Sequence, residues 1–594
     1  MENANKIQLN EILKELENIH YPCGPNYIKN HKAQAILRMK DNELEAIYNL
    51  VESHAPSLRF TAIFRYEKAL EGEPKSNTLP LNKNHLNFNC NNVSINDRIQ
   101  VMLKQLKEMP KEWTIVQLTS QFNAKENLEV NADKFCTNPL HVTVFNCNQH
   151  QTLPYTITVD IPKDKISGYN IEIRQEMHSI INENLNRFLE IKKKSGKFVS
   201  HAVKQAYCKS RYLLNNRLEN VVEQIQNKWL GVWRCLLLGR LCNSEIENSI
   251  ASVIEETLKY EDCQNKTDKI KNLLKCFVNG SNHLSIDEMK IGLRYIFPQD
   301  NCKELRVTLG KMIQNLSKEY NLSQEMRHPL ILIVDEKLDF IPWEMIDVLQ
   351  NHPVSRMPSL HFAYALFKEY EDSIVNGWKI NTNPKNGSYI INPGLDLKEM
   401  EVRLCSFFKY WLPKWSGLIG VTPSETEFRD MLSSSDVFVY SGHGNGTQFL
   451  AGEKIQKLKV NAVVFLFGCG SVQLQLLGPQ VETYSSYHMY LIACSPCVVG
   501  SLWAITDVDT DTVTAELLSQ WIPSDVSTHW KLVDDKKWKT DGTVDFNNKK
   551  MTLKESDKHE PELLRALCKA KKSAKQYLIQ AAFVARGLPV KIQN

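Results

Sequence analysis

At 594 residues, 42% of them hydrophobic, the chain is too long for one hydrophobic core and has enough apolar sequence for several compact units. Lysine and arginine number 72 against 68 aspartate and glutamate, a formal charge of +4, so no strong field draws the chain to nucleic acid or to an anionic membrane, and function is expected at a site. The 15 scattered cysteines point to a reducing cytosol or nucleus, and no apolar run approaches the roughly 20 residues of a membrane span.

The first residues, MENANKIQLNEILKELENIH, read as an amphipathic helix instead of a secretory signal. Helical spacing continues in Leu44, Ile47, Tyr48 and Val51, and a polar stretch from Glu71 to Asn96 reads as a linker. Three short apolar runs, Trp113 to Leu118, His141 to Phe145 and Tyr155 to Ile161, have strand length and β-branched residues. From Ile171 to Tyr260 the period is helical, and the run Lys192, Lys193, Lys194, Lys197 reads as a solvated face. Beyond residue 265 helix and strand are expected to alternate, the pattern of a largely parallel sheet. LILIVDE, from Leu330 to Glu336, lacks polar alternation and reads as a strand buried on both faces. GLIGV, from Gly417 to Val421, leads into a helix for which Thr422 is the expected cap, Pro423 the first residue and Glu425 the reciprocal cap. GLIGV, the run ending at His443, the run ending at Cys469 and CVVGSLWAI are expected as consecutive sheet members. A charged excursion from Asp525 to Glu560 and a last helix from Pro561 to Phe583 complete the chain.

Two of these strands carry the chemistry. DVFVYSGHGNG runs into His443 and VVFLFGCGS runs into Cys469, each set between glycines. Parallel strands ending this way bring an imidazole and a thiol to the carboxyl edge of a sheet, where open α/β folds hold their sites. A thiolate attacks a peptide carbonyl while a neighbouring histidine keeps it ionised and then protonates the departing amine. The N–H groups of Gly444 and of Cys469 are the candidate oxyanion donors. Cys494 and Cys497 form a CxxC with no second pair at zinc spacing, so they read as the start of a core strand, and no metal or cofactor is implied. Asp507, Asp509 and Asp511 leave two readings open: one of them caps the following helix, or one lines a pocket for a basic substrate residue.

These residues resemble the separases, caspase-like cysteine proteases. The resemblance covers residues 96–594 and lies in ordered blocks: EWTIVQLT, RLENVVEQIQNKWLGVWRCLLLG, LILIVDEKLDFIPWEMI, VSRMPSL, YIINPGLDL, VFVYSGHGNGTQFL, VVFLFGCGS, SPCVVGSLWAITDVDTD and FVARGLPV. It implies a caspase-like, largely parallel α/β sheet flanked by helices and preceded by a mostly helical region with a small sheet. The corresponding divisions are an N-terminal helical segment and linker at 1–95, a helical substrate-binding-like domain at 96–264 and a protease domain at 265–594. It also implies His443 and Cys469 as the catalytic pair, with Asp511 first and Asp507 second as the carboxylate that binds a substrate arginine. Two departures stand out: the family has Ser where this chain has Gly470, and Asp where it has Ala504. The implied activity is cleavage of the cohesin kleisin subunit after arginine in an ExxR-like site, releasing sister chromatids at anaphase. The resemblance also implies restraint by a securin-type inhibitor. A separate helical regulatory subunit is expected, because the chain looks like the short fly separases. The implied location is cytoplasm and nucleus, with chromosome or spindle association in mitosis. No contact with nucleic acid or membrane is expected. The alternatives are a CHAT-type caspase-like protease, with similar SGHG and GC motifs, and a catalytically silent scaffold, for which Gly470 and Ala504 speak. The Trp229, Trp233 and Arg234 group reads as core.

Overall fold

The computed structural model describes residues 23–71, 79–87, 94–124, 136–147, 152–164, 167–194, 201–259, 267–478, 481–546 and 559–593. The N-terminal amphipathic stretch and parts of the polar linker and charged excursion lie outside the described residues, as do the side chains of Lys192 to Lys194. By its contacts the chain forms two compact units, one of residues 1–56, 88–175 and 221–354, the other of 57–87, 176–220 and 355–594.

In the first unit, β1 (Thr114–Ser120), β2 (Leu140–Asn146), β3 (Tyr155–Val159) and β4 (Leu330–Val334) pair in the order β3-β2-β1-β4. The pairs β1–β2 and β2–β3 are antiparallel, whereas β1 and β4 run parallel from Thr114↔Leu330 to Leu118↔Val334. Every residue of β4 is buried, as its unbroken apolar run requires. The parallel pair joins segments more than 200 residues apart, which is why the unit is discontinuous while the expected divisions are consecutive. Just past β4, buried Asp335 accepts from Lys32 Nζ and from Ser120 N at 2.9 Å. Residues 268–319 are three successive helices, Asp268–Gly280, Ile286–Ile296 and Lys303–Glu319, so the helix–strand alternation expected from 265 begins only at β4. Ile270, Leu273, Leu274 and Phe277 give the first of these a buried stripe at helical spacing. Trp229, Trp233 and Arg234 are buried, with Arg234 paired to Glu288 and Asp347.

In the second unit, β5 (Val354–Met357), β8 (Gly387–Ile391), β9 (Ser416–Ile419), β10 (Val437–Ser441), β11 (Val463–Phe467), β12 (Cys497–Ser501) and β13 (Phe583–Gly587) run in the order β5-β13-β12-β11-β10-β8-β9. All pairs are parallel except β12–β13. A small separate sheet joins β6 (Ile374–Val375), β7 (Trp378–Asn381) and β14 (Val590–Ile592). Three expectations change here. GLIGV forms β9 at the edge, and β8 lies between it and β10. The expected last helix ends at Lys571, and Phe583 opens β13, whose residues pair with β12 from Cys497↔Gly587 to Ser501↔Phe583. Cys497 opens β12, and it and Cys494 are both buried free thiols. The helix after β9 is Glu425–Ser434; its cap is Ser424, which accepts from Glu427 N, while the Glu427 side chain accepts in return. The cap falls two residues later than Thr422 because the Thr422 hydroxyl instead donates to Pro393 O at 2.9 Å. Within the expected linker, Leu81 and Leu86 are fully buried.

Candidate active site

Strands β8, β10, β11 and β12 are parallel, so their carboxyl ends share one edge. Register places Ser441 beside Ile391 on one side and Phe467 on the other, and Leu466 beside Gly500. His443 and Cys469 each follow two residues after the Ser441↔Phe467 pair that ends this register. The turns that carry them touch through backbone: a Cβ on Gly468 would lie 2.0 Å from Gly444 O and 2.6 Å from Gly442 O. Only glycine allows this approach.

The Cys469 turn is anchored to β12. Gly470 N donates to Trp503 O at 3.1 Å, Val472 N to Ser501 O at 3.1 Å, and the Ser501 hydroxyl to Gly468 O at 2.7 Å. The Cys469 thiol donates to Ile505 O at 3.3 Å. Gly470 has φ 60°, a left-handed conformation that a side chain would strain. Since the Gly470 amide is engaged by Trp503, the oxyanion candidates stay Gly444 and Cys469. Gly444 N–H donates no hydrogen bond among the described residues, and Gly444 has φ 64°. At the other departure, the Ala504 carbonyl accepts from Asn184 Nδ2 at 2.9 Å.

A third residue, missed in the sequence, joins this edge. Asp396 Oδ2 lies 2.8 Å from His443 Nε2. An ionised carboxylate only accepts, so Nε2 carries the proton and Nδ1 is the nitrogen left to exchange one with a thiol. Both side chains are partly exposed, 41% for His443 and 49% for Asp396, so the pair is worth little as a stability element and its value is orientation. Asp396 ends a loop tied around Asn392: Asn392 N donates to Ser441 O at 2.9 Å, Leu397 N to Asn392 Oδ1 at 3.0 Å, and Asn392 Nδ2 to Glu401 Oε2 at 2.6 Å. Within it Asn392 has φ 50° and Leu395 φ 65°. A leucine in that region is strained, and such strain is held where the surrounding structure fixes it.

The aspartates after β12 separate. Thr506, not an aspartate, is the N-cap of the helix Asp507–Trp521, and its hydroxyl donates to Asp509 Oδ2 at 2.7 Å. Asp507 and Asp509 occupy the first turn, where the helix dipole favours negative charge. Asp511 is buried, with Oδ2 accepting from Arg403 Nε at 2.7 Å, and Oδ1 has no hydrogen-bond partner among the described residues. Burial pushes its carboxyl upward, and the Arg403 guanidinium opposes that. Asp507 is 42% exposed and lies 3.4 Å from Arg403 Nη2. Asp511, the first sequence choice for a substrate carboxylate, thus lies buried against an internal arginine, whereas Asp507 and Asp509 are both partly exposed. Among the described residues no group of three His, Cys, Asp or Glu is placed to hold a metal, and no helix is long and apolar enough to cross a membrane.

Comparison with known proteins gives one answer. The family model "Separin, protease domain" matches residues 146–510. Separin of Mus musculus is 31% identical over 346 residues, 57% of this chain and 16% of that protein. Separin of Schizosaccharomyces pombe is 28% identical over 339 residues, 54% of this chain and 18% of the relative. The chain therefore spans less than a fifth of the length of these two relatives. The crystal structure of the Saccharomyces cerevisiae separase-securin complex at 2.6 angstrom resolution matches with a TM-score of 0.69 at 18% identity, over 98% of this chain and 37% of that one. That likeness carries the fold, a large, mostly parallel sheet with helices. Because the family model spans more than half of the sequence, the chain belongs to the separin protease-domain family.

Proposed function

We propose that the chain is a cysteine endopeptidase of the separase type in which Cys469 is the nucleophile and His443 its proton partner. The observation that carries this reading is the β10–β11 register, with the Gly468 turn seated on the Gly442–Gly444 backbone. His443 Nδ1 takes the thiol proton, Asp396 holds the imidazolium, and Sγ bonds to the scissile carbonyl carbon. Negative charge on the carbonyl oxygen is met by the amides of Gly444 and Cys469. As the C–N bond breaks, the amine leaves with the proton from His443. Water then hydrolyses the thioester, releasing the new carboxylate and restoring the thiol.

The substrate in this reading is the cohesin kleisin subunit, cut after an arginine in an ExxR-like site, with Asp507 meeting the guanidinium and the Arg403–Asp511 pair fixing Asp507. Bidentate carboxylate–guanidinium pairing favours arginine over lysine. The chain's own ExxR match is not presented as a substrate: Glu562 and Arg565 pair with each other at 2.5 Å and are largely buried. A securin-type inhibitor is the proposed restraint, supported by the securin bound in the S. cerevisiae neighbour. A separate helical subunit is the proposed second partner, and the proposed location is cytoplasm and nucleus, on chromosomes or spindle in mitosis. The test is cleavage of ExxR peptides by the tagged full chain purified from its own cells with the partners it carries. Cleavage after arginine, abolished in Cys469→Ala and His443→Ala, is expected. Absence of turnover by the wild-type complex, or equal turnover by Cys469→Ala, overturns the reading in favour of a scaffold.

A further inference from the structure

We infer that Tyr440 and Gln448 are positioning residues that aim the Gly444 amide at the reacting carbonyl oxygen, an inference that rests on the protease reading above. The His443 carbonyl receives two hydrogen bonds, from the Tyr440 hydroxyl at 2.8 Å and from Gln448 Nε2 at 3.1 Å. Gln448 Nε2 also donates to the Tyr440 hydroxyl at 3.0 Å, closing a triangle. The peptide between His443 and Gly444 is trans, so its carbonyl and its N–H point in opposite directions in one plane. Holding His443 O on one side therefore holds Gly444 N–H on the other, the side on which that amide has no partner among the described residues.

Tyr440 is suited to the task. It is the fourth residue of β10 and fully buried. A Cβ on Gly446 would lie 3.3 Å from its ring, and one on Gly442 would lie 3.0 Å from its hydroxyl. Burial pushes its hydroxyl well above the ordinary tyrosine range, so it remains a donor at any working pH. Preorganised donors cost no reorganisation when charge develops, and an amide free to swing loses that advantage. The contact also gives a partner to the Tyr440 hydroxyl in a strand whose Val437, Phe438 and Val439 have no side-chain polar atom and whose other one is the Ser441 hydroxyl.

Tyr440→Phe removes the hydroxyl and keeps the ring, and Gln448→Ala alters an exposed side chain, so neither threatens folding. Loss of a whole oxyanion donor costs about 10²–10³ in kcat elsewhere; loosening one is expected to cost about tenfold in Tyr440→Phe and more in the double variant, with KM within about twofold. Alkylation of Cys469 by iodoacetamide proceeds by displacement at a saturated carbon and needs no oxyanion donor. Its rate is therefore expected to stay within about twofold of wild type in the same full-chain complexes. Unchanged kcat in the double variant overturns the inference, as does alkylation that falls in parallel with kcat, which would trace the loss to the thiol or imidazole. A wild-type complex that is neither alkylated at Cys469 nor able to turn over overturns the protease reading itself, and the inference with it.

Discussion

Gly468→Ala tests the contact between the two site-bearing turns. The added Cβ would sit 2.0 Å from Gly444 O and 2.6 Å from Gly442 O, and both are backbone atoms that cannot rotate away. An ordinary carbon–oxygen contact needs about 3.3 Å, so the turns must separate by roughly 1 Å. A misplacement of that size costs about 10²-fold in rate, or about 2.7 kcal/mol in the barrier. Overpacking at one such point costs about 1–3 kcal/mol of stability, which leaves a folded protein. The assay compares kcat on an arginine peptide with the melting temperature of the same preparation. A kcat within about threefold of wild type at an unchanged melting temperature would refute the reasoning, because the two turns would then tolerate separation or lie apart.

Asp396→Asn keeps the side-chain shape and removes the charge that orients His443; kcat is expected to fall about tenfold with KM little changed, a part of the 10²–10⁴ that general acid–base catalysis supplies. Arg403→Met leaves Asp511 buried without its cation and is expected to lower unfolding free energy by about 3–5 kcal/mol in urea titration. In the first unit, burial pushes the Asp335 carboxyl up, but Lys32 and His54 with backbone donors more than offset this and hold it far below the usual carboxylate range. A depressed folded pKa contributes stability above the unfolded value near 3.9, lost as pH falls through and below it. Asp335→Asn is therefore expected to cost about 3–5 kcal/mol at pH 7, with the difference from wild type shrinking as urea titrations move below about pH 4.

The parts of this molecule legible in the sequence are those in which local pattern and final environment agree. The apolar lead-ins to His443 and Cys469 are buried at every position, so composition alone marks them as central strands. The placement of His443 and Cys469 just past the ends of two adjacent strands was legible for the same reason: glycines flank each residue where a strand stops. What escaped was set by distant pairing. β8 is short and follows the polar run Asn381 to Asn386, and only its insertion between β9 and β10 gives it a role. The sequence runs the last helix up to Phe583, the residue that opens β13, a strand that only its pairing with β12 and β5 defines. Asp396 has no periodic signal; it reaches His443 because β8 adjoins β10 and the strained turn at Asn392–Leu395 turns the chain toward that strand's end. The two readings of the aspartates after β12 stay open in the sequence because Arg403, the partner of Asp511, lies 108 positions away. Thr422 and Ser424 are equally good caps by type, and the claim of Pro393 on the Thr422 hydroxyl separates them.

The most direct test of the central claim is covalent capture of the nucleophile. The full-chain complex is treated with a peptidyl-arginine acyloxymethyl ketone, and the modified residue is mapped by mass spectrometry. A single adduct on Cys469 that disappears in His443→Ala is predicted; an unmodified Cys469, or labelling that is indifferent to His443, would contradict the account.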